Sequence, residues 1–226
     1  MNQDEQEHLE ALGRYALRFA KPGDTVGLGT GRAATAFIHA LGASLIHVRG
    51  VPTSKASDEL GRSLGIEIVS LVDALKIDTD FDGADEVDSR LNLIKGYGGA
   101  LVREKIVAAS SKRFIVLVGE EKVVKRLGAR GSLPVEVVPF ALPLVSRKIA
   151  KLGLKPKVRQ EGGADFVTDN GNLILDCGVK DIRKPGRLDR ELLAIPGVVG
   201  TGLFVGMASM VLVARNDGKI GTMRSR

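Results

Sequence analysis

Short apolar runs alternate with helix-length amphipathic stretches along the first half of this chain, and that rhythm limits its fold more than any other feature. Residues 3–20 set Leu9, Leu12, Ala16 and Phe19 at steps of three and four, which predicts an amphipathic helix stopped by Lys21-Pro22-Gly23. Thr25-Val-Gly-Leu-Gly-Thr-Gly31 then reads as a buried strand entering a glycine turn, and residues 32–41 as the helix that turn opens. Further strands are expected at 45–48, 66–69, 77–81 and 114–118, with helices at 54–64 and 99–111. Strands separated by helices imply a parallel sheet with right-handed crossovers, a Rossmann-like α/β architecture.

The rhythm changes after Gly128. Residues 135–140 are strand-like, 142–152 helical and 155–159 extended. Residues 166–176 predict a hairpin, because Asn170-Gly171 supplies the positive φ angles of a tight turn. A short helix follows at 188–194, then a break at Pro196-Gly197 and a strand over 198–205. That order fits the split βαβ, ferredoxin-like pattern. The expected organisation is an α/β domain over 1–127 plus 206–226, with a smaller α+β ferredoxin-like domain inserted at 128–205 and a last strand at 211–214 rejoining the first sheet.

Composition narrows the chemistry. Net charge is +6 over 226 residues, yet Lys and Arg are spread along the whole chain, and two Tyr, seven Phe and no Trp leave few rings for stacking on bases. No nucleic-acid partner is expected; a basic surface can instead draw in a small anionic substrate. No window approaches a membrane span, and the N-terminus is acidic where a secretory leader is basic then apolar, so a cytoplasmic protein is expected. Cys177 stands alone in an apolar run and reads as a small core residue. His8, His39 and His47 are too scattered for a metal cage, so no metal is expected.

Acidic residues gather where strands end. Asp82-Gly-Ala-Asp85-Glu86 and Lys95-Gly-Tyr-Gly-Gly-Ala-Leu-Val-Arg-Glu104 place the carboxylates of Asp82, Asp85 and Glu104 and the Lys95 ammonium around glycine turns, directly after apolar runs. Carboxylates at strand ends face the ligand crevice of an open α/β sheet, and a proton-transfer site is the reading. Gly29-Thr30-Gly31-Arg32-Ala33-Ala34 fits the loose dinucleotide fingerprint, but the acid that would hold a ribose after the second strand is missing from 47–55. The simpler inference is a helix N-terminus that holds a phosphate.

Together these motifs resemble ribose-5-phosphate isomerase of type A. Besides the segments above, the resemblance rests on Leu133-Pro-Val-Glu-Val-Val-Pro-Phe, Val167-Thr-Asp-Asn-Gly-Asn and Ile195-Pro-Gly-Val-Val-Gly-Thr-Gly-Leu-Phe, and it covers nearly the whole chain. It implies cofactor-free interconversion of ribose 5-phosphate and ribulose 5-phosphate in the pentose phosphate pathway by a homodimer or homotetramer. By position it implies Glu104 as catalytic base, with Asp82, Asp85 and Lys95 acting on the sugar. Thr30, Gly31, Arg32, Ala33, Gly83, Ala84, Gly96, Tyr97, Gly98 and Lys122 are expected to bind it. Four positions depart from the family pattern: Arg32 and Ala33 stand where relatives carry hydroxyls, Leu9 where some carry lysine, and Tyr97 where they carry glycine. Arg32 is therefore expected to take over the phosphate. Rival readings are an isomerase of another phosphorylated aldose, a non-catalytic sugar-phosphate sensor and a nicotinamide-dependent dehydrogenase.

Overall fold

The computed structural model describes residues 3–74 and 76–224; the first two residues of the acidic N-terminus, Leu75 and the last two residues lie outside it. In chain order the helices are α1 (Gln3–Ala16), α2 (Arg32–Gly42), α3 (Lys55–Ser63), α4 (Leu101–Ala109), α5 (Leu142–Lys151) and α6 (Pro185–Leu193). The strands are β1 (Thr25–Leu28), β2 (Arg49–Pro52), β3 (Glu67–Ile68), β4 (Thr79–Gly83), β5 (Glu86–Val87), β6 (Leu93–Ile94), β7 (Phe114–Gly119) and β8 (Ser132–Val137). They continue with β9 (Lys155–Val158), β10 (Gln160–Glu161), β11 (Ala164–Asp165), β12 (Leu173–Gly178), β13 (Val198–Thr201), β14 (Leu203–Phe204), β15 (Met210–Ala214) and β16 (Ile220–Arg224).

The main sheet runs β16-β15-β7-β4-β1-β2-β3. Every pairing in it is parallel except β15 with β16. This is the α/β architecture that the alternation predicts. One face is closed by α1 and α2, where Leu12, Ala16, Phe37 and Leu41 meet Phe81 and Leu117. Phe37 and Phe81 stack there with ring centroids 4.1 Å apart and planes 22° from parallel, and aromatic pairs add about 0.5–1.5 kcal/mol beyond area burial.

The second sheet runs β13-β8-β12-β9 with all neighbours antiparallel. Its chain order, β8-α5-β9-β12-α6-β13, is the ferredoxin-like pattern. Val135, Leu175 and Cys177 of that sheet pack on Val145 and Ile149 of α5 and Leu192 of α6, so Cys177 is a core residue with a buried thiol.

Several local expectations shift. Residues 45–48 form no strand: Leu45 is 92% exposed, and pairing begins only at Arg49, which lies opposite Thr25 of β1. Of 166–176, only β12 joins the sheet. Gly171 has φ 78° and donates its N–H to Thr168 as a tight turn requires, but the residues before the turn make one isolated bridge, Val167 to Leu173. β9 occupies the edge that they would need. Residues 198–205 split at Gly202, and β14 leaves the second sheet to pair with β6. The edge strand β16 was not expected; it returns through a turn at Gly218, which has φ 77°.

Candidate active site

The site lies where β1 and β4, central in the main sheet, reach their C-terminal ends. Strand alternation turns Asp80 and Asp82 to the same face of β4, and both are fully buried. Room for them comes from glycines in β1 and just after it: a Cβ on Gly27 would collide with the Asp80 carboxyl, and one on Gly29 with Asp82. Asp82 Oδ1 accepts from the backbone N–H of Gly83 at 2.7 Å and of Thr30 at 3.0 Å.

Lys95 is delivered by the β5–β6 hairpin. The Asp88 carboxylate ties that turn by accepting from the N–H groups of Arg90 and Asn92, and Leu91 sits within it at φ 59° rather than in a strand. The chain returns so that Lys95 Nζ lies 2.5 Å from the Gly83 carbonyl, 3.0 Å from Asp82 Oδ2 and 3.4 Å from Glu104 Oε2. One carbonyl acceptor and two carboxylates around the ammonium keep a buried cation charged. Burial alone would depress Lys95, yet the Asp82 and Glu104 charges outweigh it and raise its proton affinity.

Glu104 comes from the first turn of α4, which begins after the glycine loop 96–99, where Gly96 and Gly99 hold φ 103° and 85°. Burial pushes Glu104 up to about 8; the Lys95 charge opposes this and Asp82 and Asp85 add to it. A carboxylate raised into the neutral range is matched to taking and returning protons. Burial also raises Asp82 and Asp85, with Lys95 acting against it at both.

In front of these groups lies a cavity of about 200 Å³ lined by Thr30, Gly31, Arg32, Ala33, Gly83, Ala84, Asp85, Lys95, Gly96, Gly98, Glu104 and Lys122, among others. At one end the α2 N-terminus opens into it: Gly31 is the cap residue at φ 99°, and no side chain caps the first turn. Thr30 Oγ1 is held by Thr53 and Ser54 at 2.8 Å each, hydroxyls that occupy the place after β2 where a dinucleotide site wants its acid. Burial lowers Lys122, and Arg130 lowers it further.

Two expected residues stand differently from the rest. Tyr97 does not line the cavity: its hydroxyl donates to the Ser132 carbonyl at 3.2 Å, while its N–H donates to Asp85 Oδ2 at 3.0 Å. Arg32 lines the cavity, and its guanidinium pairs with Glu5 of α1 at 2.6 Å. Sequence reasoning overlooked Glu5 in that role and Asp80 altogether. The alternation of Thr79-Asp80-Phe81-Asp82 carried the signal for Asp80.

Residues 49–218 match the family described as ribose 5-phosphate isomerase A (phosphoriboisomerase A). The ribose-5-phosphate isomerase A of Roseiflexus sp. (strain RS-1) is 48% identical over 221 residues, 95% of each chain. This chain belongs to the ribose 5-phosphate isomerase A family. The relative from Parvibaculum lavamentivorans is 44% identical, covering 96% of this chain and 97% of its own. Among solved structures, a D-ribose-5-phosphate isomerase in complex with phospho-erythronic acid has a TM-score of 0.94 at 37% identity, covering 99% of this chain and all of that one. Ribose 5-phosphate isomerase from Plasmodium falciparum also has a TM-score of 0.94, at 32% identity, with 98% and 99% covered. Like those isomerases, this family member is built as a mixed sheet with helices on its faces and a smaller antiparallel sheet beside it.

Proposed function

We propose that this protein interconverts D-ribose 5-phosphate and D-ribulose 5-phosphate through an enediol, as a cofactor-free step of the pentose phosphate pathway. The observation that carries the reading is the Lys95 ammonium held between Asp82 and Glu104 at the floor of a cavity that opens on a helix N-terminus. One carboxylate on one side of an opened sugar removes the proton from C2 and returns it to C1, and Glu104 takes that role. Lys95 supplies positive charge beside the oxygens of the enediolate, an effect of about 10²- to 10³-fold by analogy with loss of one oxyanion donor. Asp82 and Asp85 handle the hydroxyl protons and ring opening.

The phosphate sits at the other end, on the α2 N–H groups of Gly31 to Ala33, with Lys122 supplying charge and Arg32 replacing the hydroxyls found in relatives. Helix N-termini suit phosphate because their first N–H groups have no partner within the helix. Gly83, Ala84, Gly96 and Gly98 shape the wall along the sugar, and Tyr97 contributes its backbone N–H to Asp85 rather than a ring to the pocket.

No helix among the described residues is long and apolar enough to cross a membrane, and the reading places the enzyme in the cytoplasm. It works as a homodimer or homotetramer; Phe140, 97% exposed, and Val72, 89% exposed, are apolar surface that association would cover. Assay of the purified protein on ribose 5-phosphate beside Glu104→Gln tests the proposal. Turnover by the wild type with a fall of several hundredfold in the variant supports it; equal turnover rejects the role of Glu104, and no turnover by either rejects the activity.

A further inference from the structure

Asp80 is the group at this site that the proposed chemistry leaves unused. It is fully buried, and neither of its carboxyl oxygens finds a hydrogen-bond partner among the described residues. An ionised carboxylate so placed is expensive, so Asp80 binds its proton more tightly than an exposed carboxyl does. Asp80 does not touch the cavity, so any influence on substrate runs through its neighbours.

Those neighbours are few. Asp80 lies opposite Gly27 of β1, and the space a Gly27 side chain would need is shared by the Asp80 carboxyl and Val107 of α4. Glu104 stands one turn before Val107 on the same buried face of that helix. The other strands beside Asp80 contribute no charge, since β1 is Thr-Val-Gly-Leu and β7 is Phe-Ile-Val-Leu-Val-Gly. On α4, Arg103 is turned to Asp169 and Asn170, and Lys105 to Leu203 and Asp189. The ionisable groups that face Asp80 are therefore Asp82 on its own strand, Glu104 on α4 and the Lys95 ammonium.

Three buried carboxyls share one cation. With all three ionised the cluster would carry a net charge of −2 without solvent, so at least one proton stays in it. Asp82 receives two backbone N–H groups and the Lys95 ammonium and is the best stabilised anion. The proton is left to Asp80 and to Glu104, whose Oε2 makes the longer of the two ion pairs with Lys95, at 3.4 Å. We propose that Asp80 is a positioning residue of the isomerisation, a buried carboxyl that competes with Glu104 for one proton and so sets the pH at which Glu104 becomes a base. The proposal rests on the reading of Glu104 as that base. Burial first, then the Asp82 charge, raises Asp80 well above the carboxylate range, and Glu104 adds to it while Lys95 opposes. Interacting carboxyls of this kind lose protons in macroscopic steps that belong to the pair.

The test is the pH profile of kcat/KM for the wild type, Asp80→Asn and Asp80→Ala, with Glu104→Gln assayed alongside. Either neutral replacement removes the competitor, so the acid limb should move to lower pH by roughly half a unit or more and become a single ionisation. A purely structural Asp80 would change stability and leave the limb where it was. Coincident limbs, with Glu104→Gln inactive, overturn the proposal alone; full turnover by Glu104→Gln overturns the reading beneath it. Side-chain carboxyl ¹³C shifts of the wild type give the same answer if both Asp80 variants fail to fold. Two-step titration of Asp80 and Glu104 over one shared pH interval supports competition, and independent single steps contradict it.

Discussion

The Lys95 ammonium lies 3.4 Å from the Glu104 carboxylate with both side chains withdrawn from solvent, at 2% and 4% exposure. At such burial the pair is an electrostatic unit: the lysine keeps its charge because the acids are there, and Glu104 is held near neutral pH because the lysine opposes its burial.

Lys95→Met leaves Asp82 and Glu104 buried without their cation. Breaking a buried pair from one side costs about 3–5 kcal/mol, so urea titration should show a loss of that order. Activity should fall about 10²- to 10³-fold in kcat from loss of enediolate stabilisation, and the remaining acid limb should move to higher pH.

The proposed role needs the base form of Glu104, whose carboxyl is pushed by burial up to about 8. The sign follows directly: kcat/KM should climb with pH through the neutral range and fall about tenfold per unit on the acid side. A flat profile between pH 6 and 8 would count against it.

Stability should run the other way. Asp80, Asp82 and Glu104 are all raised in the folded protein, so folding takes up protons once pH exceeds the ordinary carboxylate range of about 4. Their contribution is fully present below that range and is lost as pH rises toward the folded values. Asp80→Asn should flatten the resulting decline of Tm with pH, measured by calorimetry.

Gly29→Ala should abolish activity while barely touching the phosphate end. The added Cβ would collide with the Asp82 carboxyl and lie 2.6 Å from its Cα, and overpacking of this kind costs about 1–3 kcal/mol. The reading is kcat, which should fall far more than KM rises.

Glu5 holds the arginine that the phosphate is proposed to use. Arg32→Ala should raise KM about tenfold, the equivalent of roughly 1.5 kcal/mol for a hydrogen bond to a charged group. Glu5→Gln should lower KM by up to about fivefold, since an exposed pair is worth about 0–1 kcal/mol. An unchanged KM in Arg32→Ala removes Arg32 from the phosphate site.

The glycine turn before Arg32, the acids after β4 and the ferredoxin-like order of the second sheet were all legible, because periodicity and turn chemistry are local signals. What was not legible depended on pairing between distant segments. The run 45–48 is as apolar as a strand, and only the register of β1 against Arg49 shows that pairing starts later. Gly29 read as part of a phosphate turn, whereas its place at the end of β1 makes room for Asp82, as Gly27 within the strand does for Asp80. Tyr97 could be placed in the loop but not aimed, since its direction depends on the Ser132 carbonyl 35 residues away. Arg32 met Glu5 for the same reason, through the packing of α1 on α2 rather than through anything near it in sequence.

The most direct test of the account is steady-state turnover of ribose 5-phosphate by Glu104→Gln, which keeps the shape of the side chain and removes its basicity. A fall of about 10²- to 10⁴-fold in kcat with KM nearly unchanged is predicted. Turnover equal to that of the wild type would contradict it.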